Sequence, residues 1–184
     1  MAAAIGGVKL TKEMKILIKL FTHTDLDGVG CAILAKLAFG DNVSITYCNS
    51  PSELEANVNS LIMPDYEKCY ITDLSVSSDY NNINFLATYK NLILFDHHKT
   101  AEWLNDYDFA TVRVKYKNKL TCGTELFYNY LVKHNLISAK PYFVEQIRLY
   151  DTWDWTKSNN NTPKYLHDLL YIKGISEFVD MYVD

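Results

Sequence analysis

The sequence predicts an α/β protein in which a mostly parallel sheet is flanked by helices on both faces. Short apolar runs with strand character alternate with longer segments of helical composition along most of the chain, and this order is typical of βα crossover units. Hydrophobic residues make up 48% of the 184 residues and charged residues 22%, a balance that supports one sizeable core. We expect the crossovers between parallel strands to be right-handed.

The individual elements follow from the bounds of these runs. Buried strands are predicted at Lys15–Phe21, Val43–Tyr47, Cys69–Leu74, Asn91–Phe95 and Phe109–Lys115. Helices are predicted at Gly28–Phe39, Pro51–Met63, Ser77–Tyr89, Thr124–His134, Tyr142–Tyr150 and Tyr165–Val183. Ser50 suits the N-cap of the second helix, since Pro51 then takes its first position. The asparagine-rich stretch Lys157–Pro163 predicts a surface loop.

Charge and cysteine content limit the class of protein. A net charge of −4 argues against a protein that coats nucleic acid by bulk positive charge, but it is compatible with a small phosphorylated substrate. None of the four cysteines forms a C-x-x-C pair, so we expect buried thiols in a reducing compartment. We find no signal peptide and no apolar run of membrane-spanning length, and therefore predict a cytoplasmic protein without a membrane partner.

Acidic and histidine side chains follow several of the predicted strands. His23, Asp25 and Asp27 are spaced two apart after the first strand, so in an extended segment they point the same way. Asp73 follows the third strand. Because the carboxyl ends of parallel strands form the ligand-binding edge of an open sheet, these groups should meet there.

Two further segments add to this set. Asp96, His97 and His98 follow the fourth strand, and Asp151 lies at a helix end, whereas we interpret the nearby Asp154 as structural. Each residue alone fits a turn, a cap or a structural histidine. Together, carboxylates with a few imidazoles suit Mn²⁺, Mg²⁺ or Fe²⁺. They exceed what one ion needs, and therefore indicate two ions that share a carboxylate.

Substrate contacts are indicated more weakly. The amides of Gly123 and Thr124 open a predicted helix and would be free to hold a phosphate, although Thr124 as a plain N-cap explains them equally well. Lys99 is a further candidate for a phosphate contact, because it follows the two histidines.

Basic and aromatic residues have two interpretations each. The side chains of Arg113, Lys115, Lys117 and Lys119 would share one face of a strand, where we favour protection of a sheet edge over a contact with phosphates. The tryptophans Trp103, Trp153 and Trp155 would suit base stacking, but packing is the simpler interpretation for most aromatic residues.

Four short segments resemble, in order, the four motifs of the DHH phosphoesterase superfamily. They are His23-Thr24-Asp25-Leu26-Asp27-Gly28, Asp73-Leu74-Ser75, Asp96-His97-His98 and Tyr150-Asp151-Thr152-Trp153. The sequence around these motifs is most similar to that of the NrnB-like oligoribonuclease branch. The resemblance covers roughly residues 15 to 155 and implies a metal-dependent phosphoesterase acting on a short oligonucleotide or a related small phosphodiester or phosphomonoester.

The resemblance also implies roles for single residues. His23 and Asp25 would bind one Mn²⁺, and Asp73 would bridge it to a second ion. That second ion would be held by Asp27, His97 and Asp151. In catalysis, Asp96 would orient the histidines and His98 would face the substrate phosphate.

Members of this family usually carry a second, carboxyl-terminal DHH-associated domain, in which a glycine-rich, histidine-containing motif grips the substrate. The sequence has no Gly-Gly-Gly, so we expect a tail at residues 1–12, a DHH catalytic domain at 13–184 and no DHH-associated domain. A second copy or a partner subunit would then supply the missing substrate-binding half. Two alternatives stay open: a non-catalytic nucleotide-binding or regulatory module, and then an inorganic pyrophosphatase, against which the close spacing of His23 and Asp25 counts.

Overall fold

A five-stranded parallel sheet forms the centre of the computed structural model, which describes residues 17–61, 65–138 and 142–183. The strands are β1 Ile18–His23, β2 Val43–Cys48, β3 Lys68–Thr72, β4 Leu92–Asp96 and β5 Ala110–Val112. Their order across the sheet is β2-β1-β3-β4-β5, and each neighbouring pair is parallel. The predicted fold class is therefore confirmed.

Helices cover both faces of this sheet. They are α1 Leu26–Phe39, α2 Pro51–Ser60, α3 Ile83–Leu86, α4 Gly123–Lys133, α5 Tyr142–Asp151, α6 Thr162–Lys173 and α7 Ile175–Val183. Short 3₁₀ segments lie at Gly40–Asn42, Lys99–Asp106 and Asp154–Lys157. A separate hairpin pairs β6 Lys115–Tyr116 with β7 Lys119–Leu120. Among the described helices, none has the length and apolar character that crossing a membrane requires.

The hydrophobic core is divided by the sheet into two layers. Leu20 and Tyr70 belong to the layer that packs on α1, α4, α5, α6 and α7, whereas their neighbours Phe21 and Ile71 belong to the layer that packs on α2 and α3. This alternation follows from the strand period of two. It explains why the strands are apolar throughout, since both of their faces are buried.

Several predicted boundaries are wrong, each for a local reason. The helix predicted at Ser77–Tyr89 is only the single turn of α3, because the stretch is rich in serine, asparagine and aspartate, which have low helix propensity. The helix predicted at Tyr165–Val183 is interrupted at Gly174, whose φ is 76°. Part of the loop predicted at Lys157–Pro163 is the start of α6.

The last predicted strand is also shorter than expected. Phe109–Lys115 contains only the three residues of β5, after which the chain turns into the β6–β7 hairpin. Lys117 and Asn118 have φ values of 48° and 64° in the hairpin turn. The four basic side chains therefore do not share one strand face, and that prediction is wrong. The predicted tail at residues 1–12, the first two residues of the first strand and the end of the second helix lie outside the described residues.

Candidate metal centre

The loop from β1 into α1 positions the first group of candidate ligands. His23 ends β1, and its Nδ1 lies 2.9 Å from Asp25 Oδ2. Asp25 is the N-cap of α1, where its Oδ1 accepts a 3.1 Å hydrogen bond from the Gly28 amide. A Cβ at Gly28 would lie 2.3 Å from the His23 carbonyl oxygen, so only glycine permits this tight entry into the helix.

These contacts shift both pKa values of the pair. Burial alone would raise the pKa of Asp25, but the hydrogen bonds from His23 and Gly28 outweigh it and lower the pKa to about 2. The hydrogen bond to Asp25 in turn raises the pKa of His23. Asp25 is therefore a carboxylate over the physiological pH range and is ready to bind a cation.

Asp27 lies in the first turn of α1 and is buried against the start of α4. Its carboxylate accepts hydrogen bonds from the amides of Gly123, at 2.6 Å, and Thr124, at 2.8 Å. The Thr124 hydroxyl donates to the Asp27 carbonyl oxygen at 2.6 Å. In the structure these two amides are therefore occupied by a carboxylate of the chain itself, which corrects the prediction that they are free to hold a phosphate. The N-cap of α4 is Cys122, not Thr124.

Asp73 follows β3 and lies at the centre of the site. Its φ of 56° is in the left-handed region, which aspartate tolerates better than most residues. Its Oδ1 lies 3.2 Å from His97 Nε2, whereas its Oδ2 is buried and has no hydrogen-bond partner among the described residues. Burial, together with the charges of Asp27 and Asp25, raises the pKa of Asp73 well above its usual range.

His97 lies between carboxylates on both sides of its ring. Its Nε2 is 3.6 Å from Asp27 Oδ2, and its Nδ1 is 3.6 Å from Asp151 Oδ2 at the end of α5. Burial and the charges of Asp27 and Asp25 raise the pKa of Asp151 to about 8. So many acids at such distances repel one another unless positive charge is added.

Asp96 and His98 form a second pair at the end of β4. Asp96 Oδ1 accepts hydrogen bonds from the amides of His97 and His98 and lies 2.7 Å from His98 Nδ1. The hydrogen bond to Asp96 raises the pKa of His98. His98 is about half exposed, and it lines an open cavity of about 240 Å³ together with His23, Asn49 and Asp73.

The donor set fits divalent cations. Three groups of side chains each offer ligand atoms that lie within 4.8 Å of one another: His23, Asp25 and Asp73; Asp27, His97 and Asp151; and Asp73, Asp96, His97 and His98. Asp73 is common to two of the groups. The unpartnered buried oxygens of Asp73 and Asp96 indicate that hydrogen bonds alone do not satisfy this cluster. Oxygen and imidazole ligands of this kind suit Mn²⁺, Mg²⁺ or Fe²⁺.

Two other residues singled out in the sequence lie outside these groups. Lys99 is exposed at the start of a 3₁₀ segment, and within the described residues its ammonium has no hydrogen-bond or ion-pair partner. Asp154 forms ion pairs with Arg148 and Lys157, with N–O distances of 3.2 Å and 2.7 Å. The Asp154 carboxylate is therefore committed to cations of the chain itself.

Comparison with known proteins places this geometry in a family. Residues 15–171 match the family model described as the DHH family, N-terminal domain. The chain belongs to the DHH family. It is 40% identical over 172 residues to oligoribonuclease NrnB of Bacillus subtilis (strain 168), and the match covers 86% of this chain and 42% of that protein. The chain thus spans less than half the length of this curated relative.

Solved structures show the same fold at lower identity. An uncharacterized protein from Helicobacter pylori G27 superposes with a TM-score of 0.66 at 18% identity, over 91% of this DHH chain and 55% of the other. CDC45 from Entamoeba histolytica superposes with a TM-score of 0.56 at 16% identity, over 91% of this chain and 34% of the other.

Two features of the DHH site have no clear signal in the sequence. The buried hydroxyl of Thr72 donates to Thr22 Oγ1, which in turn donates to the Gly28 carbonyl oxygen, each at 2.9 Å. The buried Arg148 donates to Glu145 and Asp154 and holds the end of α5. Threonines directly before Asp73 and His23 are the available signal for the first feature, but threonine is too common in strands to indicate such a role.

Proposed function

We propose that the chain is a two-metal phosphoesterase that hydrolyses short oligonucleotides or a related small phosphodiester or phosphomonoester. The observation that supports this most is the position of Asp73 between two ligand groups. Asp73 belongs to one group with His23 and Asp25, and its Oδ1 lies 3.2 Å from Nε2 of His97, which belongs to the group of Asp27 and Asp151. Two ions bridged by one carboxylate are a recurrent arrangement in phosphoryl hydrolysis. The B. subtilis relative is named an oligoribonuclease, which favours an oligonucleotide over pyrophosphate as the substrate.

Manganese is the proposed cofactor, with Mg²⁺ or Fe²⁺ as alternatives of the same ligand preference. His23, Asp25 and Asp73 would hold one ion, and Asp27, His97 and Asp151 the other. When bound, the pair supplies an activated water and positive charge against the phosphate oxygens. The amides of Gly123 and Thr124 orient the Asp27 carboxylate, which is a typical outer-sphere role.

His98 is the proposed proton donor or phosphate contact, and Asp96 positions it. Since His98 Nδ1 is engaged by Asp96, its Nε2 is the ring atom available to the substrate. The raised pKa of His98 favours the protonated ring. A protonated imidazole can donate to a phosphate oxygen and release a proton to the leaving oxygen. Lys99, exposed one residue further on, is proposed to add positive charge at the rim.

The rest of the substrate requires additional surface. The cavity at the site, about 240 Å³, is smaller than typical ligand pockets of about 300–1,000 Å³. We propose that a second copy of the chain or a partner subunit completes the substrate-binding half. The four buried, free cysteines are consistent with the proposed cytoplasmic location.

Release of mononucleotide from the dinucleotide pApA and from a short RNA tests the proposal. We expect turnover with Mn²⁺, none with EDTA and none in Asp73→Asn, an isosteric change that the left-handed backbone tolerates. The matched control is Asp79→Asn at an exposed position, which should leave turnover unchanged. Pyrophosphate hydrolysis without pApA hydrolysis would favour the pyrophosphatase alternative. Metal binding without turnover of any substrate would favour the binding module.

A further inference from the structure

Five aromatic rings near Asp151 form a continuous series of pairwise contacts, of which three are stacked and one is tilted. Trp153 stacks on Trp155, with ring centroids 6.4 Å apart and planes at 28°. Trp155 stacks on Tyr150 at 6.2 Å and 14°. Tyr150 stacks on His167 at 4.6 Å and 21°, and His167 lies 4.6 Å from Tyr171 with the two planes tilted by 43°. We call these five residues the aromatic ladder.

Both ends of the aromatic ladder face solvent. Trp153 is 66% exposed and Tyr171 is 72% exposed. Within the part of the chain that the structure describes, Trp153 has a ring contact only with Trp155, and Tyr171 only with His167. Each terminal ring therefore has one face without an aromatic neighbour. An exposed flat ring at the end of a stack can extend that stack by one more planar group.

The position of the aromatic ladder relates it to the metal centre. Tyr150 precedes the candidate ligand Asp151 directly, and Trp153 follows it by two residues. Consecutive Cα atoms are about 3.8 Å apart, so the Trp153 Cα lies within about 8 Å of that of Asp151. One end of the aromatic ladder and a candidate metal ligand therefore belong to the same short segment.

The backbone at Trp153 supports a role for its exposed ring. Its φ is 61° and its ψ is 11°, in the left-handed region. A bulky residue in this conformation costs free energy, and such strain is concentrated at functional sites. At the same end of the ladder, Trp155 Nε1 is buried and has no hydrogen-bond partner in the described part of the chain. A left-handed residue commonly ends a helix, but glycine or asparagine is usual there, so a tryptophan at the end of α5 has a backbone cost and a ring that is mostly in water.

We propose that the aromatic ladder is a stacking platform for the bases of a single-stranded oligonucleotide whose phosphate lies at the metal centre. The inference rests on the proposed function. Planar rings attract every base through its π face, so the platform would select for the presence of bases and tolerate any sequence. It would also favour a single strand over a duplex, since paired bases do not expose their faces.

Three variants and two substrates separate this role from a structural one. Trp153→Ala removes the terminal ring, and Trp153→Phe restores a smaller ring. Tyr165→Ala is the matched control, because Tyr165 is 62% exposed on α6 and has no ring contact among the described residues. The substrates are a four-nucleotide RNA and an abasic ribose-phosphate chain of the same length.

We expect kcat/KM on the RNA to fall about tenfold to a hundredfold in Trp153→Ala, mainly through KM, as loss of one stacked base predicts. Trp153→Phe should recover most of this loss. Tyr165→Ala should match the wild type, and hydrolysis of the abasic chain should be equal in all variants. Equal losses on both substrates, or no loss on the RNA, would refute the platform.

RNA binding measured without metal tests the stacking platform separately from the proposed hydrolysis. In EDTA, the RNA should quench tryptophan fluorescence of the wild type, whereas the abasic chain should not, and Trp153→Ala should reduce the quenching. If this pattern appears without hydrolysis, the platform stands and the proposed phosphoesterase fails. If Trp153→Ala changes only the sedimentation of the protein, the aromatic ladder is a contact between protein copies, and the proposal of a base-stacking platform is wrong.

Discussion

Gly123 lies where α4 starts against two candidate ligands, and replacing it with alanine should loosen the metal centre. The added Cβ would lie 2.6 Å from Asp73 Cβ and 3.0 Å from Asp27 Oδ2. Carbon atoms in contact are about 3.5–4.0 Å apart, so the start of α4 must retreat by about 1 Å. That movement lengthens the hydrogen bonds of 2.6 Å and 2.8 Å that the Asp27 carboxylate accepts.

The expected cost of Gly123→Ala combines overpacking with weakened hydrogen bonds. Overpacking costs about 1–3 kcal/mol, and a hydrogen bond to a charged group contributes about 1.5–3 kcal/mol. We expect the free energy of unfolding in EDTA to fall by about 3 kcal/mol. Affinity for Mn²⁺ should fall about tenfold to a hundredfold, as is typical when an outer-sphere partner of a metal ligand is disturbed.

Urea unfolding in EDTA and calorimetric titration with Mn²⁺ measure these two effects. Gly174→Ala is the control: at a φ of 76° with open space around it, alanine costs about 1–3 kcal/mol of backbone strain and should leave Mn²⁺ affinity unchanged. If the free energy of unfolding of Gly123→Ala is within about 0.5 kcal/mol of the wild-type value and its affinity for Mn²⁺ is unchanged, the start of α4 does not constrain the metal centre.

Three further changes test other parts of the structure. Thr22→Val removes the donor to the Gly28 carbonyl oxygen and the acceptor of Thr72, so urea unfolding should show a loss of about 1–3 kcal/mol. The pKa of Asp151 is raised in the folded state, so the free energy of unfolding of the metal-free wild type should fall relative to that of Asp151→Asn as pH rises from about 4 to about 8. If the free energy of unfolding in EDTA depends on pH equally in both proteins, this prediction is wrong. Arg148→Met removes a donor to two carboxylates and a carbonyl oxygen. Because Glu145 and Asp154 are partly exposed and regain water, thermal unfolding should show a loss of about 1–3 kcal/mol.

The candidate ligands were predictable because of a property of parallel sheets. Every parallel strand delivers its carboxyl end to the same edge, so acids and histidines after β1, β3 and β4 must meet if the strands are assigned correctly. Asp73 and His97 are far apart in the sequence, but their Oδ1 and Nε2 atoms lie 3.2 Å apart. Spacing in the sequence therefore sufficed to predict a shared site.

Contacts that depend on how helices pack on the sheet were not predictable. The amide of Gly123 donates to Asp27, which lies 96 positions earlier in the chain, and no local pattern indicates which helix start meets that carboxylate. The break at Gly174 had a local signal, a glycine within a helical pattern, which permits but does not require a helix end. The prediction of a helix at 77–89 was wrong because helix propensity is a sum of many weak preferences, and the polar side chains of this stretch favour turns.

Anomalous diffraction from crystals grown with Mn²⁺ tests the two-metal centre most directly. A centre bridged by Asp73 predicts two manganese peaks about 3.5–4 Å apart, one on each side of the Asp73 carboxylate. His23 and Asp25 should then contact one ion, and Asp27, His97 and Asp151 the other. A single peak, or two peaks that Asp73 does not bridge, would contradict the proposed centre.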